Sequence, residues 1–519
     1  MTIRPDLSAW TPATCDVLVI GGGATGLGVA VQAALEGRSV VLVEARDFAS
    51  GTSSRSTKLL HGGVRYLAQG HIRLVREALR ERAIVLGLAP HLAQPLPFVV
   101  HERRWVSWAV TAVGLKLYQW MAGRLSLGPT EVISQQGMNA IAPVLPGTVA
   151  GVRYWDGQFE DARLALALAQ TAQAAGAQVR NHVRVVGLVQ QGGAWQVGLQ
   201  DAWTGQTATL HANCVVNATG VWVDAMRQLA LAAVEAPKTL QALVKPSQGV
   251  HWVIDRALLP IQEAVLVPHT SDGRVLFAVP WLGSTVIGTT DTPRHDAPLE
   301  PRPMAEELAF LLSETERALG VRLRAQDVKS VWVGLRPLVN GGSSGATAQI
   351  SREHLIAREA PGFVTVTGGK WTTYRSMAQE VMAALAGDLP VPERQAHTQR
   401  HTLFGAPQPG AQPVSLRDAP GLHLLGSQAA KVAHAPGSEE SLGLGLTAAV
   451  VRHAAQSEWA ITVEDMLARR WRVLFLDARL AARMAPRVAE LLQQETGIDP
   501  ALPAFLALCE QYQLPASYC

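Results

Sequence analysis

Cysteine is scarce in this sequence. Its 519 residues include four cysteines, Cys15, Cys214, Cys509 and Cys519, and no two of them form a C-x-x-C pair. Scattered cysteines argue against a disulfide framework and against a metal knuckle, because both need cysteines at short recurring spacings. We therefore expect a reducing compartment and no metal site.

Charge and long apolar runs are scarce as well. Charged residues make up 17% of the chain and the formal net charge is +3, which is too small to indicate a nucleic acid partner. No apolar run reaches the roughly 18 residues of a membrane span, and we expect no secretory signal, since residues 1–16 lack an apolar region. Hydrophobic residues make up 48%, which predicts a folded protein, and a length of 519 residues is enough for two or three domains.

The stretch DVLVIGGGATGLGVAVQAALEGRSVVLVE, residues 16–44, predicts a dinucleotide-binding unit. An apolar run at 17–20 has the length and β-branched content of a buried strand, and it leads into glycines spaced as G-x-G-x-x-G. A helix at 27–35 and a second strand at 39–43 follow. A tight turn without a ligand is the alternative, but strand, turn, helix and strand occur in the order that the site requires.

Each residue of this unit has a physical reason to be there. Gly21 permits the tight turn, Gly23 lets the backbone approach a pyrophosphate, and Gly26 lets the helix pack closely on the strand. The helix N-terminus offers N–H groups and a positive dipole end to the phosphates. Glu44 follows the second strand, where an acid accepts hydrogen bonds from an adenosine ribose, so NAD or FAD is favoured over NADP.

The segment that follows, residues 46–67, is dense in small and hydroxyl-bearing residues and then in basic groups. Hydroxyls and backbone N–H groups suit a second contact with a diphosphate, and His61-Gly62-Gly63 places a titratable group beside backbone that can approach a flat ring. A polar surface loop is the alternative, but it would not need so many small residues. The predicted cofactor-binding residues here are Thr52, Ser53, Ser54, Ser56, Lys58, His61, Gly62 and Gly63.

The motif GTSSRSTKLLHGGVRYL at 51–67, placed after a GGGATG turn and an acid-ended strand, resembles the FAD-dependent glycerol-3-phosphate dehydrogenases. These are flavoenzymes of the amino-acid-oxidase-like FAD superfamily. The resemblance extends over residues 16–492, with further matches at ATG (218–220), IGTTDT (287–292), GLRPLV (334–339), SREHLI (351–356) and VTGGKWTTYR (366–375).

The resemblance implies an α/β fold. We expect a FAD-binding two-dinucleotide fold of the amino-acid-oxidase/glutathione-reductase-like type, an antiparallel substrate-binding sheet and a C-terminal helical domain. Short alternating strands after residue 240 also indicate the antiparallel sheet. The expected parts are 15–95, 150–240 and 350–390 (FAD-binding), 96–149 and 241–349 (substrate-binding and membrane-facing), 391–437 (linker) and 438–519 (helical).

Basic side chains inside the matching motifs suit a phosphorylated alcohol, because phosphate recognition favours arginine forks with a lysine point charge. The resemblance implies substrate-binding roles for Arg65, Tyr66, Arg352 and Lys370. Arg336 would stabilise the developing alkoxide, and either His61 or His251 would take the hydroxyl proton as general base. The remaining predicted cofactor-binding residues are Ala218, Thr219, Gly220, Gly369, Lys370, Trp371 and Thr372.

The implied reaction is the FAD-dependent oxidation of sn-glycerol 3-phosphate to dihydroxyacetone phosphate, with electrons passed to a membrane quinone, ubiquinone or menaquinone. An oxygen-using glycerol-3-phosphate oxidase and an amino-acid oxidase are the alternatives. The segment at 103–124 combines tryptophans with basic residues, which is typical of in-plane membrane contact, although a core helix has the same pattern. We expect a cytoplasmic protein attached peripherally to the inner face of the plasma membrane, with a homodimer left open.

Overall fold

A computed structural model describes residues 4–64, 67, 70–102, 105–143, 145, 150–234, 240–268, 270–340, 354–515 and 518. For residues 102 and 105–107 it describes the backbone alone.

The strands, in chain order, are β1 (Thr14–Ile20), β2 (Val40–Val43), β3 (Leu59–Leu60), β4 (Ala93–Glu102), β5 (Glu131–Ser134), β6 (Ala150–Phe159), β7 (Gln178–Arg180), β8 (Val183–Gln191), β9 (Ala194–Asp201), β10 (Thr207–Asn217), β11 (Val244–Asp255), β12 (Ala264–Val267), β13 (Leu276–Trp281), β14 (Ser284–Gly288), β15 (Thr292–Pro293), β16 (Val328–Val339), β17 (His354–Ala360), β18 (Phe363–Gly368), β19 (Ser441–Gly443) and β20 (Leu446–Thr447).

The α-helices are α1 (Leu7–Trp10), α2 (Ala24–Leu35), α3 (Ile72–Leu88), α4 (Trp105–Ala122), α5 (Gln135–Ile141), α6 (Asp161–Ala174), α7 (Val223–Ala232), α8 (Ala305–Leu319), α9 (Tyr374–Ala384), α10 (Ala429–Ala433), α11 (Ala448–Ser457), α12 (Val473–Leu476), α13 (Ala478–Thr496) and α14 (Leu502–Gln511). A π-helical turn spans Asp465–Arg470.

The first sheet is built around β1. Its strand order is β17-β18-β10-β1-β2-β7, and the pairs β18–β10, β10–β1, β1–β2 and β2–β7 are parallel. Both faces of such a sheet must be covered, which explains why β1 and β2 are almost entirely apolar and buried. Helices α2 and α9 pack against each other, and α2 also packs against α6. This confirms the predicted α/β architecture of the dinucleotide-binding part.

The second sheet is largely antiparallel, as expected for the region after residue 240. Its strand order is β15-β11-β14-β13-β12-β4-β6-β3, with β16 paired to β11 and β5 paired to β6. The pairing of β11 with β16 is long and keeps one register from Val244 to Val253, so Ser247 lies opposite Arg336 and His251 lies opposite Trp332. Strand β6 belongs to this sheet, although the expected boundaries assign 150–159 to the FAD-binding part. The division by residue number stays a prediction.

The C-terminal helices pack against the rest of the molecule. The Ser330 hydroxyl of β16 donates to the Leu474 carbonyl at 2.8 Å, and the Val331 N–H donates to the Tyr512 carbonyl at 2.7 Å. Parts of the expected linker are also packed, because Leu416, Leu424 and Leu425 are buried. Within the described residues, none of the helices combines the length and apolar character needed to cross a membrane.

Candidate active site

The first glycine turn brings β1, β10 and α2 into close contact. A Cβ at Gly21, whose φ is +112°, would lie 2.6 Å from the Ala218 carbonyl oxygen at the end of β10. A Cβ at Gly26 would lie 2.0 Å from the Gly21 carbonyl oxygen. A side chain at Gly21 would push β1 away from the end of β10, and one at Gly26 would push the helix off the turn, so glycine is required by packing at both positions. The predicted residues Gly21, Gly26 and Ala218 therefore meet at one point.

The N-terminus of α2 faces the residues that were predicted to hold a diphosphate. Gly23 is the N-cap residue and has no side chain to cap the helix, and a Cβ there would lie 3.1 Å from the Ser53 hydroxyl. The Ala24 N–H donates to that hydroxyl at 3.0 Å. Backbone N–H groups and a serine hydroxyl thus gather where the positive end of the helix dipole lies, which fits a phosphate group.

Glu44 lies at the end of β2, next to the turn. Its carboxylate accepts a hydrogen bond from the Gly22 N–H at 2.7 Å and another from the Arg46 N–H at 2.9 Å. Burial raises the pKa of Glu44, and the two N–H groups oppose that shift. The carboxylate is therefore fixed beside the turn, at the place where a ribose would meet it.

Residues 52–58, which we call the hydroxyl loop, run from the turn toward a cavity. The Thr52 hydroxyl donates to the Leu335 carbonyl at 2.6 Å, and the Ser53 carbonyl accepts from the Trp371 indole N–H at 2.8 Å. Ser56 and Lys58 both bond to Asp161, and of the two only Ser56 also lines the cavity. Lys58 is fully buried there, so the geometry gives its predicted contact with the cofactor no support.

A cavity of about 180 Å³ opens where the two sheets meet. It collects side chains from distant parts of the sequence, and nine of the predicted residues line it: Thr52, Ser56, His61, His251, Arg336, Gly369, Lys370, Trp371 and Thr372. Four predicted basic or titratable residues, His61, His251, Arg336 and Lys370, therefore converge on one space, whereas Lys58 does not line it. Arg65, Tyr66 and Arg352 lie outside the described residues.

His251 forms part of the cavity wall from β11. Its Nε2 is 2.9 Å from the Thr57 hydroxyl, and its ring stacks on Trp332 with centroids 4.2 Å apart and planes 16° apart. A Cβ at Gly288, on the neighbouring strand, would lie 2.4 Å from the ring, so glycine makes room for it. Burial lowers the pKa of His251 well below its ordinary value, and the positive charges of Lys58 and Arg336 lower it further. The ring is therefore neutral.

Arg336 projects from β16 into the same cavity. Its guanidinium lies 3.2 Å from the Asp291 carboxylate, and it donates to the Thr289 hydroxyl and to the Thr290 carbonyl, each at 3.0 Å. A Cβ at Gly249, on the paired strand, would lie 2.4 Å from the guanidinium. The fork is thus oriented by its neighbours, as a group that must meet an anion in a fixed geometry should be.

The turn after β18 supplies the last cavity wall. Gly368 and Gly369 have φ values of +79° and +72°, a backbone conformation that residues with a side chain rarely adopt. They lead into a short helical turn at Trp371–Thr373. Lys370 is the N-cap residue of that turn and lines the cavity. Gly220, another predicted residue, lies beside this turn, since its carbonyl accepts from the Thr367 hydroxyl, and it too has a positive φ, +65°.

Sequence reasoning missed three residues that orient the predicted ones, namely Thr57, Asp291 and Trp332. Thr57 lies inside the hydroxyl loop, and Asp291 lies inside the IGTTDT motif, but neither was assigned a role. Trp332 could have been found from strand alternation, because residues 332, 334 and 336 of β16 point to one face.

The arrangement fits FAD. The tight glycine turn, the helix N-terminus with its Ser53 hydroxyl and the fixed Glu44 suit the adenosine diphosphate part, while Gly62, next to His61 of the cavity wall, and the Gly369 turn bring backbone close to the cavity. A Cβ at Gly62 would lie 2.3 Å from the Tyr118 hydroxyl, so this backbone must be glycine for reasons of packing too.

Comparison with known proteins agrees with this geometry. Residues 16–375 match the model of a family described as FAD dependent oxidoreductase, and residues 396–502 match the C-terminal domain of alpha-glycerophosphate oxidase. The chain is 38% identical to a mitochondrial glycerol-3-phosphate dehydrogenase of Arabidopsis thaliana, covering 92% of this chain and 82% of that one. It is also 38% identical to the mitochondrial glycerol-3-phosphate dehydrogenase of Homo sapiens, covering 93% and 71%.

A solved structure supports the fold over nearly the full length. The glycerol-3-phosphate dehydrogenase of Bacillus halodurans, solved in complex with FAD, superposes with a TM-score of 0.75 at 29% identity, covering 97% of this chain and 95% of that one. The family model and the solved structure thus agree on the cofactor and the fold, and the relatives agree with them on the enzyme class. The chain belongs to the family of FAD-dependent glycerol-3-phosphate dehydrogenases.

Proposed function

We propose that this protein oxidises sn-glycerol 3-phosphate to dihydroxyacetone phosphate and passes the electrons to a membrane quinone. The observation that carries the proposal is the convergence of His61, His251, Arg336 and Lys370 on one cavity next to the dinucleotide turn. Such a set suits an alcohol that carries a dianion, whereas an amino-acid oxidase needs one carboxylate-binding arginine and an apolar pocket. Bound FAD would supply the hydride acceptor, and the protein supplies orientation and electrostatics.

Arg336 and Lys370, two of the cationic residues that line the cavity, have separable roles. Arg336 is held by Asp291 and Thr289, so its fork has a fixed direction and suits the C2 oxygen, where negative charge develops. Lys370 begins a helical turn and provides a point charge for the phosphate, together with Arg65, Tyr66 and Arg352 as predicted partners.

The general base is His61 in this proposal. A good general base has a pKa close to the working pH, and the pKa of His251 is far below that range because the ring is buried near Lys58 and Arg336. Moreover, the Nε2 of His251 already shares a hydrogen bond with Thr57. His251 then orients the substrate as a neutral ring, while His61 lines the same cavity and takes the hydroxyl proton.

A membrane quinone is favoured as the acceptor by the surface of α4. Val110, Val113 and Trp120 on this helix are 71%, 72% and 73% exposed, and Leu117 is 45% exposed. The spacing puts them on one face, and exposed aromatic and aliphatic residues beside a lysine, Lys116, are typical of a helix that lies in a membrane surface. In this proposal, α4 attaches the protein to the inner face of the plasma membrane.

The test of the reaction is anaerobic reduction of the bound flavin. Glycerol 3-phosphate added to the purified FAD-loaded protein should bleach the visible flavin absorbance, whereas glycerol and amino acids should not. Bleaching by an amino acid instead would reject the proposal. Reoxidation by a quinone analogue but not by oxygen separates the dehydrogenase from the oxidase.

The test of the membrane face is co-sedimentation with lipid vesicles. The double variant Val113→Glu and Trp120→Glu should remain in the supernatant while keeping its rate of flavin reduction, because neither side chain lines the cavity. A matched control places the same charges at Val186 and Val189, which are 47% and 52% exposed on β8. Equal binding of the α4 variant and the control would reject attachment through α4.

A further inference from the structure

Four fully buried charged side chains connect the hydroxyl loop with the C-terminal helices. We call them the Arg472 cluster, and its members are Lys58, Glu160, Asp161 and Arg472. Lys58 lies 2.8 Å from Asp161, and Arg472 lies 3.0 Å from Glu160 and 3.4 Å from Asp161. Since buried ions are costly unless they are paired and bonded, four of them at one place need a reason.

The backbone carbonyl of Ser54 is the point that these charges hold. It accepts a hydrogen bond from the Lys58 ammonium at 2.8 Å and another from the Arg472 guanidinium at 2.6 Å. Lys58 and Arg472 have backbone φ values of +66° and +63°. Residues with a Cβ adopt this left-handed conformation only where their surroundings fix it, so both donors are held in place at an energetic cost.

The fixed loop in turn places Thr57. On one side of Thr57, the Ser56 hydroxyl donates to Asp161 at 2.7 Å, and on the other side Lys58 is bound to the same carboxylate. The Thr57 hydroxyl then meets His251 Nε2 at 2.9 Å. A second route to the same histidine runs through Trp332, which stacks on His251 and lies 4.6 Å from the Lys58 ammonium.

We propose that Arg472 is a positioning residue, through which the C-terminal helical region holds the hydroxyl loop and, by way of Thr57, the ring of His251. The proposal rests on the proposed function for its kinetic readout. It gives the C-terminal region a part in the reaction although none of the residues that the structure describes there lines the cavity.

A purely structural role would make Arg472 equivalent to other buried ion pairs of the same interface. Arg163 and Glu458 form such a pair, with contacts of 2.9 Å and 2.7 Å. Both side chains are buried, and Glu458 belongs to the C-terminal region, yet the hydrogen bonds of Glu458 do not involve the hydroxyl loop in the described chain. Glu458→Gln is therefore the matched control for a variant of Arg472.

The experiment compares Arg472→Gln, Arg472→Lys and Glu458→Gln as FAD-loaded proteins. Stopped-flow reduction by glycerol 3-phosphate under anaerobic conditions gives the limiting rate and the apparent Kd, and thermal unfolding gives the Tm. Arg472→Gln should lower the limiting rate about 10- to 100-fold with little change in apparent Kd, because a charge-assisted contact with the loop is lost. Arg472→Lys, which keeps the charge, should recover part of the rate.

The control variant, Glu458→Gln, distinguishes a positioning role of Arg472 from a purely structural one. Glu458→Gln should lower the Tm but keep the limiting rate within about twofold, since its pair does not hold the loop. Equal rates for Arg472→Gln and Glu458→Gln at similar Tm would overturn the proposal. If Arg472→Gln does not fold, the decision passes to Arg472→Lys, where a wild-type limiting rate would overturn it equally.

A spectroscopic readout separates this proposal from the proposed function. Because the hydroxyl loop contacts the cavity, Arg472→Gln should change the visible flavin spectrum and release FAD more readily than Glu458→Gln. If glycerol 3-phosphate fails to reduce the wild-type flavin, the proposed function is wrong, and the spectral difference still tests Arg472. If the Arg472 variants keep the wild-type spectrum and FAD content, positioning is wrong whatever the substrate.

Discussion

Two buried clusters of charge lie on the interface between the C-terminal helices and the dinucleotide-binding part, and they differ in what they adjoin. The Asp47 cluster comprises Asp47, His182, Asp465, Arg469 and Arg470, and none of its members lines the cavity. The Arg472 cluster adjoins the hydroxyl loop, through Lys58 and the Ser54 carbonyl. Residues 465–472 contribute to both clusters, so one short segment faces two different environments.

The pKa shifts favour the charged form of Asp47 in one cluster and the neutral forms of Glu160 and Lys58 in the other. Burial would raise the pKa of Asp47, but the guanidinium groups of Arg470 and Arg469 hold it below its ordinary value. Burial raises the pKa of Glu160 in spite of Arg472, and burial lowers the pKa of Lys58 to about 7 in spite of Asp161. The charge of Asp47 is thus well compensated by its neighbours, whereas the charges of Glu160 and Lys58 in the Arg472 cluster are poorly compensated.

This difference indicates which cluster stabilises the fold and which one serves the reaction. A cluster whose charges are compensated stabilises the interface, while a poorly compensated one costs free energy and persists where the chemistry needs it. We therefore expect variants of the Asp47 cluster to change the free energy of unfolding, and variants around the cavity to change the rate of flavin reduction.

The largest expected effect on stability comes from Asp47→Ala. Two arginines, Arg469 and Arg470, would lose their shared buried carboxylate, and breaking such a pair costs about 3–5 kcal/mol of the free energy of unfolding. Urea unfolding of the FAD-loaded protein, followed by circular dichroism, measures the loss. Glu490→Gln, which removes an exposed pair with Arg487, should leave the unfolding midpoint unchanged. Equal midpoints for the two variants would show that the Asp47 cluster does not stabilise the interface.

For Arg336→Ala we expect a loss of rate rather than a loss of stability. Removing one charge-assisted contact to the reacting oxygen should cost about 1.5–3 kcal/mol of transition-state stabilisation, or roughly 10- to 150-fold in the rate of flavin reduction. FAD content should be retained, because the guanidinium is held by Asp291 and Thr289 and not by the dinucleotide turn. Near wild-type turnover on glycerol 3-phosphate with FAD bound would reject the role of Arg336.

Lowering the pH should change the free energy of unfolding in opposite directions through the two clusters. Asp47 and Asp465 have depressed pKa values when folded, so they stabilise the protein above the unfolded value of about 4, and this is lost as the pH falls through the folded pKa. Glu160 has a raised pKa, so its protonation adds stability as the pH falls toward the unfolded value. Asp47→Asn should therefore flatten the dependence of the unfolding free energy on pH below about 5, and Glu160→Gln should steepen it at higher pH, between the unfolded value and the raised folded pKa of Glu160. Parallel curves for both variants would contradict this assignment.

Much of the dinucleotide-binding unit could be predicted because its signals are local. The apolar run at 17–20, the glycines and Glu44 are neighbours in sequence, and β1, α2 and β2 form where they indicate, although α2 begins at Ala24 rather than Leu27. The cavity residues in distant motifs could be predicted only from the resemblance to a known family, because sequence spacing carries no information about contacts across hundreds of residues.

The direction of the Lys58 side chain could not be predicted from the sequence. A lysine within a run of hydroxyls suggests contact with a diphosphate, but Asp161 lies 103 residues away and binds it inside the protein. Arg472 lies 418 residues from Ser54, and its segment carries no motif of its own. Contacts of this kind follow from tertiary packing, so the sequence predicted the cavity but missed the cluster that supports its wall.

The smallest expected effect is that of Thr57→Val, which tests the link between the Arg472 cluster and the cavity. The variant keeps the shape of the side chain but loses the hydroxyl that bonds to His251 Nε2, and one neutral hydrogen bond contributes about 0.5–1.5 kcal/mol. The limiting rate of flavin reduction should fall roughly 3- to 10-fold, with the Tm nearly unchanged. Thr57→Ser restores a hydroxyl and should restore most of the rate. If Thr57→Val reduces its flavin as fast as the wild type, the cluster does not act on His251 through Thr57, and the route through Trp332 would have to carry the whole effect of Arg472.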